Sequence, residues 1–341
     1  MNDLGSMPLG AMPGDARPET TRIVRADTEG IARTAELLRA GRLVAFPTET
    51  VYGLGADATD PAAVARIFAA KQRPRFNPLI SHLPRVAAAR QEGAFDAAAE
   101  RLAEAFWPGP LTLVVPAART TEICDLARAG LASVALRVPG SAIARDLLAE
   151  VGRPVAAPSA NRSGRISPTS AEHVRADLDG RIAAILDGGP TEVGVESTVV
   201  ACLGGPPRLL RPGGVTREAL EAVLGEPLDA PSDSDKERPA GPGLLASHYA
   251  PRARVRLGAE SIRPGEAALL FGGARPPGLS DAAAWIDLSE RGDLAEAAAA
   301  LFASLRFLDA AGAATIAVVP IPSEGLGEAI ADRLGRAAAP R

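Results

Sequence analysis

Lys71, Arg73 and Arg75 fall within five residues of the segment KQRPRFNPLISH, beside Asn77, in a chain with only two lysines. Such a cluster can neutralise a polyphosphate through charge-assisted hydrogen bonds. A solvated helix end complementing its dipole would also carry cations. Pro74 and Pro78 stiffen this loop, however, and cations on a preset frame suit a binding site. The stretch LVAFPTETVYGLG, Leu43 to Gly55, is a short apolar run that passes into Thr48, Glu49, Thr50 and Tyr52 and closes with Gly53 and Gly55. The segment PSANRSGRISPT, Pro158 to Thr169, offers many short uncharged donors. Loops of this composition can cradle phosphate or ribose oxygens, and they are also ordinary turn material. VESTVV and LRPGG each set a polar residue, Ser197 and Arg211, at the end of an apolar strand, where open α/β sheets form ligand crevices. Arg137, inside VALRVP, must find an anion or carboxylate, because unpaired burial of charge is expensive.

These residues need elements to hold them. The apolar run from Leu43 predicts a buried strand ending at Pro47, which fixes φ and lacks a donor, with a polar turn after it. The glycines there permit close backbone approach or positive φ. Thr28 to Ala40 reads as a helix capped by Asp27 or Thr28 and stopped at Gly41. A second helix starts at Asp60-Pro61 and leads into the basic loop, ahead of a strand near Leu79 to His82. Helical stretches at Asp96 to Trp107, Ser141 to Glu150, Ala171 to Leu178 and Thr216 to Leu224 alternate irregularly with short apolar strands. That pattern predicts an α/β unit on a mixed sheet. The run DAPSDSDKERPAGPG, from Asp229, has the composition of a linker, yet it leads to SHYAP, with His248 and one of two tyrosines, Tyr249. Strands at Arg254 to Leu257, Ala267 to Phe271 and Thr315 to Val319, with helices at Leu294 to Ala310 and Leu326 to Leu334, predict a smaller, Rossmann-like parallel α/β unit. It has no G-x-G-x-x-G, so a dinucleotide site there is not expected.

Composition narrows the function classes. A length of 341 residues favours two domains. The net charge of -4, without long like-charge blocks, argues against a constitutive nucleic-acid or membrane-surface binder. Cys124 and Cys202 stand apart and, with three histidines, give no zinc spacing. They read as reduced core residues of a cytoplasmic protein. The N-terminal segment reads as a flexible tail without signal-peptide pattern, and no apolar run reaches the ~20 residues that cross a bilayer. The organisation expected is a tail at 1–17, a catalytic domain at 18–228, a linker and candidate active-site lid at 229–253, and a C-terminal α/β domain at 254–341.

PTETVYGLG, K-x-R-P-x-x-N-P-L, PSAN-x-SG-x-x-SPT, ESTVV, LRPG and HYAP, in this order, resemble the threonylcarbamoyl-AMP synthase family in its long form, a YrdC-like catalytic domain with a further C-terminal domain. The resemblance covers roughly residues 18–341 and implies a twisted mixed sheet with a concave ligand site. It also implies conversion of L-threonine, bicarbonate and ATP into threonylcarbamoyl-AMP and pyrophosphate, which feeds a tRNA threonylcarbamoyl transferase machinery acting at adenosine 37. On this resemblance Thr50, His82, Arg137, Ser159 and Ser197 hold threonine. Lys71, Arg73, Asn77, Ser133, Asn161, Thr169, Arg211 and Tyr249 hold ATP, Lys71 and Arg73 acting as the catalytic cations with Mg2+ on the phosphates. No nucleophile is required, so catalysis rests on positioning and charge stabilisation. Because a carbamate and a mixed anhydride are both labile in water, the segment with His248 and Tyr249 reads as the lid.

Some assignments stay open on the residues alone. His82 either faces the site or is a satisfied core histidine, and His173 reads as a surface residue. Glu49 and Glu196 adjoin proposed ligands and could orient them or bind metal. The main rival is an RNA-binding module using the same concave basic surface, for which steeply salt-dependent binding is the signature; a weak tRNA contact is compatible with the enzyme reading. A carbamoyltransferase would need zinc-type cysteine motifs that two isolated cysteines do not supply, and neither lysine sits in a P-loop.

Overall fold

The computed structural model describes residues 20–72, 77–230 and 249–340. The expected tail at 1–17, Arg73 and Arg75 of the basic loop, and most of the linker with His248 lie outside the described residues.

A ten-stranded mixed sheet organises the larger unit, in the order β1-β8-β2-β3-β7-β4-β6-β5-β9-β10. Its strands are β1 Arg22–Arg25, β2 Val44–Pro47, β3 Tyr52–Asp57, β4 Ile80–His82, β5 Leu111–Pro116, β6 Ser133–Arg137, β7 Val155–Ala156, β8 Ala184–Asp187, β9 Thr198–Ala201 and β10 Arg208–Arg211. β2 and β3 are buried at every position. Strands covered on both faces read as continuous apolar runs rather than alternating ones, as VAFP does. One face packs on α1 Thr28–Arg39 and α5 Ala142–Val151. The other carries the main core with α2 Pro61–Lys71, α4 Ala97–Phe106 and α7 Arg217–Leu224. Helix starts follow from capping chemistry: Asp27 accepts from Gly30 N, and Asp60 accepts from Ala62 N ahead of Pro61 at the first position.

The turn expected after Pro47 is shorter than the sequence suggests, because YGLGAD is strand β3, paired antiparallel with β2. Of the two uses of glycine, close approach is the one realised. A Cβ on Gly55 would lie 2.9 Å from Phe46 Cε1 and 3.2 Å from Val44 O. β1 also escapes the apolar-run criterion, since RIVR is largely exposed and joins the sheet only by parallel pairing with β8. The short helix α3 Val86–Glu92 has no side-chain cap to announce it.

The smaller unit has a four-stranded parallel sheet, ordered β11 Arg254–Arg256, β14 Thr315–Val318, β12 Ala267–Leu270 and β13 Ala284–Asp287. The helices α8 Leu294–Ala310 and α9 Leu326–Ala338 cover it. Its apolar core does not stop at the unit's own residues: Val51, Ile166 and Val195 of the larger unit belong to the same cluster as Leu301, Phe302 and Ile330. Among the described residues no helix is long and apolar enough to cross a membrane.

Replacing Gly55 by alanine should destabilise the chain by about 1–3 kcal/mol, the usual cost of overpacking a dense core. A urea midpoint unchanged from the parent would show instead that Phe46 yields freely.

Candidate active site

The turn between β2 and β3 is folded by Thr48, whose hydroxyl donates to Val51 O at 2.7 Å and shares a hydrogen bond with Thr50 Oγ1 at 2.8 Å. This fixes Thr50 under Arg137, whose Nη2 donates to Thr50 Oγ1 at 2.9 Å and to Glu49 Oε1 at 2.7 Å, while Nε reaches Gly109 O at 3.4 Å. The arginine buried in VALRVP has thus found its carboxylate. Burial alone would raise the Glu49 carboxyl, but the charge of Arg137 and a hydrogen bond from the Gly140 backbone hold it below its ordinary value, so it stays ionised.

Lys71, the last residue of α2, is buried and turns into the PSAN loop. Its Nζ donates to Ser159 O and Asn161 O, both at 2.5 Å. Ser159 Oγ donates to Asn161 Oδ1 at 2.6 Å, and Asn161 Nδ2 reaches back to Arg162 O and Arg165 O. The lysine expected at the phosphates therefore also shapes the loop that carries two other predicted ligand residues. Backbone bonds join this loop to the first turn, Ala160 N to Tyr52 O at 2.8 Å and Tyr52 N to Pro168 O at 2.9 Å.

ESTVV and LRPGG meet in a third group. Arg211 donates through Nε and Nη2 to Ser197 O at 3.1 and 2.8 Å, and Nη2 also reaches Ser197 Oγ at 3.2 Å. Ser197 Oγ shares a 2.7 Å hydrogen bond with Thr112 Oγ1. The two motifs touch so closely that a Cβ on Gly213 would sit 2.4 Å from Glu196 O. Thr198 N bonds Pro110 O at 2.9 Å, next to the Gly109 carbonyl that Arg137 reaches. The three groups are thereby tied into one connected set.

His82 lies opposite Arg137 in the β4–β6 register, with its ring edge-on to Phe46 at 6.3 Å. Burial, then the nearby Arg137 charge, push its pKa down to about 3, so the imidazole is neutral. Asn77 is buried just before β4, Ser133 opens β6 opposite Pro116, and Thr169 contacts the ring Nδ1 of His173 at 3.3 Å. His173 is accordingly half-buried behind the SPT turn, not a surface residue as its helix position suggested. Tyr249 is buried against the smaller unit, its ring stacked on Phe302 at 5.5 Å. Glu49 Oε2, Asn77 Oδ1, Ser81 Oγ and His82 Nδ1 are buried with no hydrogen-bond partner among the described residues. Thr191 Oγ1 and Arg306 Nε, outside these motifs, are unpartnered as well; the unpartnered atoms of Glu49 and His82, both beside Arg137, have the character of a ligand site. Thr112 was missed by sequence reasoning although a lone hydroxyl in LTLVV carries the same signal as the arginine in VALRVP. Arg333 was missed too; it occupies the apolar face of α9 three residues after Ile330.

The fold and this connected set define a Sua5/YciO/YrdC-type α/β unit. A family model of that name, described as "Telomere recombination", matches residues 36–213, and a second, "Threonylcarbamoyl-AMP synthase, C-terminal domain", matches residues 215–339. The chain is 43% identical over 324 residues to the threonylcarbamoyl-AMP synthase of Bacillus subtilis (strain 168), covering 91% of this chain and 93% of that one. It is 42% identical to that of Pyrococcus abyssi, covering 89% and 92%. The crystal structure of P. abyssi Sua5 complexed with L-threonine superposes with a TM-score of 0.83 at 38% identity, covering 93% and 97%. The chain belongs to the threonylcarbamoyl-AMP synthase family, whose members are nucleotidyltransferase-type enzymes.

The depressed His82 pKa fixes a pH dependence. The unfolded chain takes up this proton near pH 6.5 and the folded chain only near 3, so folding stability falls as pH drops through that window. Urea unfolding of His82→Asn should show a shallower loss between these pH values than the parent, and identical slopes would mean that His82 is solvated.

Proposed function

We propose that this chain synthesises threonylcarbamoyl-AMP and pyrophosphate from L-threonine, bicarbonate and ATP. The observation that supports the reading is the connected set itself, in which hydroxyls of Thr50 and Ser197 meet the buried cations Arg137 and Arg211 while Lys71 is held in the PSAN loop joined to the first turn. Arg137, held through Nη2 by Glu49 and Thr50 and through Nε by the Gly109 carbonyl, offers Nη1 to the threonine carboxylate. The unpartnered Oε2 of Glu49 is an acceptor for the amino group. His82, Ser159 and Ser197 complete the threonine pocket. Asn77, Ser133, Asn161, Thr169, Arg211 and Tyr249, with Lys71 and Arg73, form the ATP side.

Threonine's ammonium gives up a proton, and the free amine then adds to the bicarbonate carbon with loss of water to give a carbamate. A carbamate oxygen then attacks the α-phosphorus in line, the bond to the β-phosphate oxygen breaks, and pyrophosphate leaves. The side chains bind, orient and neutralise, with Lys71 and Arg73 countering charge on the phosphates. Mg2+ would enter with the triphosphate, shielding its charge and orienting its oxygens. Among the described residues no group of three or more His, Cys, Asp or Glu side chains gathers to hold an ion. We place the chemistry in the unit of the ten-stranded sheet, in the cytoplasm, with the product passed to a transferase that modifies adenosine 37 of tRNA and at most weak direct contact with the RNA. The likeness to named synthases over nearly the whole chain favours this reading over an RNA-binding module.

Incubated with ATP, bicarbonate and labelled threonine, the protein should release pyrophosphate only when threonine is present. Tight, steeply salt-dependent RNA binding without such release would reverse the choice. Arg137→Lys should raise the threonine KM about 10- to 100-fold, the loss of a charged hydrogen bond worth roughly 1.5–3 kcal/mol. Serine should be disfavoured by only ~1–3 kcal/mol if the pocket reads the methyl group by packing.

A further inference from the structure

The last helix sends one fully buried arginine out of the smaller unit and into the connected set of the larger one. Arg333, 0% exposed, donates from Nε to Glu196 Oε2 at 2.7 Å and from Nη2 to Pro212 O at 3.0 Å, and its Nη1 meets Asp332 Oδ2 at 2.5 Å. Its guanidinium carbon stands 5.2 Å from the centroid of the Tyr249 ring. Glu196 immediately precedes Ser197, and Pro212 immediately follows Arg211. Arg333 therefore grips both flanks of the Ser197–Arg211 pair and adjoins the one tyrosine of the HYAP motif. The other oxygen of Glu196 accepts from Ser167 Oγ at 2.5 Å, bringing the SPT turn into the same cluster.

Stability alone does not account for this arrangement. A buried ion pair is often no better than a well-packed apolar replacement, so the presence of one suggests a use for its geometry. Burial would raise the Glu196 carboxyl, yet Arg333, Arg211 and the Ser167 hydroxyl override it and hold it at about 2, which keeps the anchor charged. Tyr249 adopts φ of 63°, the left-handed region that a residue with a Cβ enters only when its surroundings impose it. Its ring packs on both Phe302 and Arg333. A second arginine, Arg306 on α8, makes a parallel reach, donating to Ile166 O and to Asp177 Oδ2 at 2.7 Å.

We infer that Arg333 is a positioning residue for the nucleotide side of the active site, through which the C-terminal unit sets the relative placement of Arg211, Tyr249 and the SPT turn. This rests on the proposed assignment of Arg211, Tyr249 and Thr169 to ATP. The test is steady-state pyrophosphate release by the full chain as parent, Arg333→Met and the double variant Glu196→Gln/Arg333→Met, with thermal unfolding of each. The single variant strands a buried carboxylate and can fail to fold; the double variant removes both charges and decides the matter in that event. In the folded variants the ATP KM should rise tenfold or more, and at least threefold more than the threonine KM, which Ser197 beside Glu196 also affects. The double variant should melt within about 3 °C of the parent, a shift of order 1 kcal/mol. An ATP KM below threefold of the parent's in the double variant, or equal rises in both KM values, would overturn the inference. Failure of the parent to release pyrophosphate with threonine would instead sink the proposed function.

Discussion

Desolvated charge is the constraint on which this structure turns. Arg137, Arg211 and Arg333 are buried to 3%, 5% and 0% exposure, and a guanidinium taken out of water without partners is a cost no marginally stable domain can carry. Each is therefore met by partners from a different motif: Arg137 by Glu49 and the Thr50 hydroxyl, Arg211 by the carbonyl and hydroxyl of Ser197, and Arg333 by Glu196 and the Pro212 carbonyl. Because these partners come from turns far apart in sequence, satisfying the charges also fixes the turns relative to one another. The same contacts that make burial tolerable supply the preorganisation that a positioning catalyst requires.

That constraint also explains how the two units are related. An apolar seam alone is non-directional and tolerates sliding. Here the shared cluster of Val51, Ile166 and Val195 with the C-terminal core is accompanied by Arg306 on Ile166 and Asp177 and by Arg333 on Glu196 and Pro212. Val51 and Ile166 lie in the two turns that carry Thr50 and Thr169. Packing drives association, and the two arginines specify its register. The C-terminal unit is in this way tied by two arginines to the turns that carry the motif residues.

Much of this was legible in the sequence, and the failures have physical reasons. Strands buried on both faces and helices opened by Asp27, Asp60 and Asp96 announce themselves, because burial and capping are local chemistry. β1 does not, since RIVR is held in place by a partner more than 150 residues away and not by its own pattern. β3 was hidden by glycines whose purpose is close packing on Phe46, a tertiary fact. At the site, the motif residues were identifiable one by one, but their connections were not. That Lys71 would turn onto the Ser159 and Asn161 carbonyls depends on where α2 ends relative to the loop. Arg333 was readable in principle, as a charge on the apolar face of an amphipathic helix, but only structure tells which element it pairs with.

The electrostatics of the reactive side chains bear on the kind of catalysis such a site can support. Burial pushes the thiols of Cys124 and Cys202 up, Cys202 to about 12, so neither is a thiolate near neutrality. His82 is held neutral at the other extreme, and Glu49 and Glu196 are held ionised by arginines. None of these groups is poised near pH 7, where a general acid or base works best. A set of fixed, fully ionised or fully neutral side chains is suited to holding two substrates whose own atoms do the bond making. In the proposed reaction threonine supplies the nucleophile through its carbamate and ATP supplies the leaving group, so the demand on the protein is alignment and charge compensation. Those are the two things that buried arginines, locked by partners from several loops, provide without reorganising during the reaction.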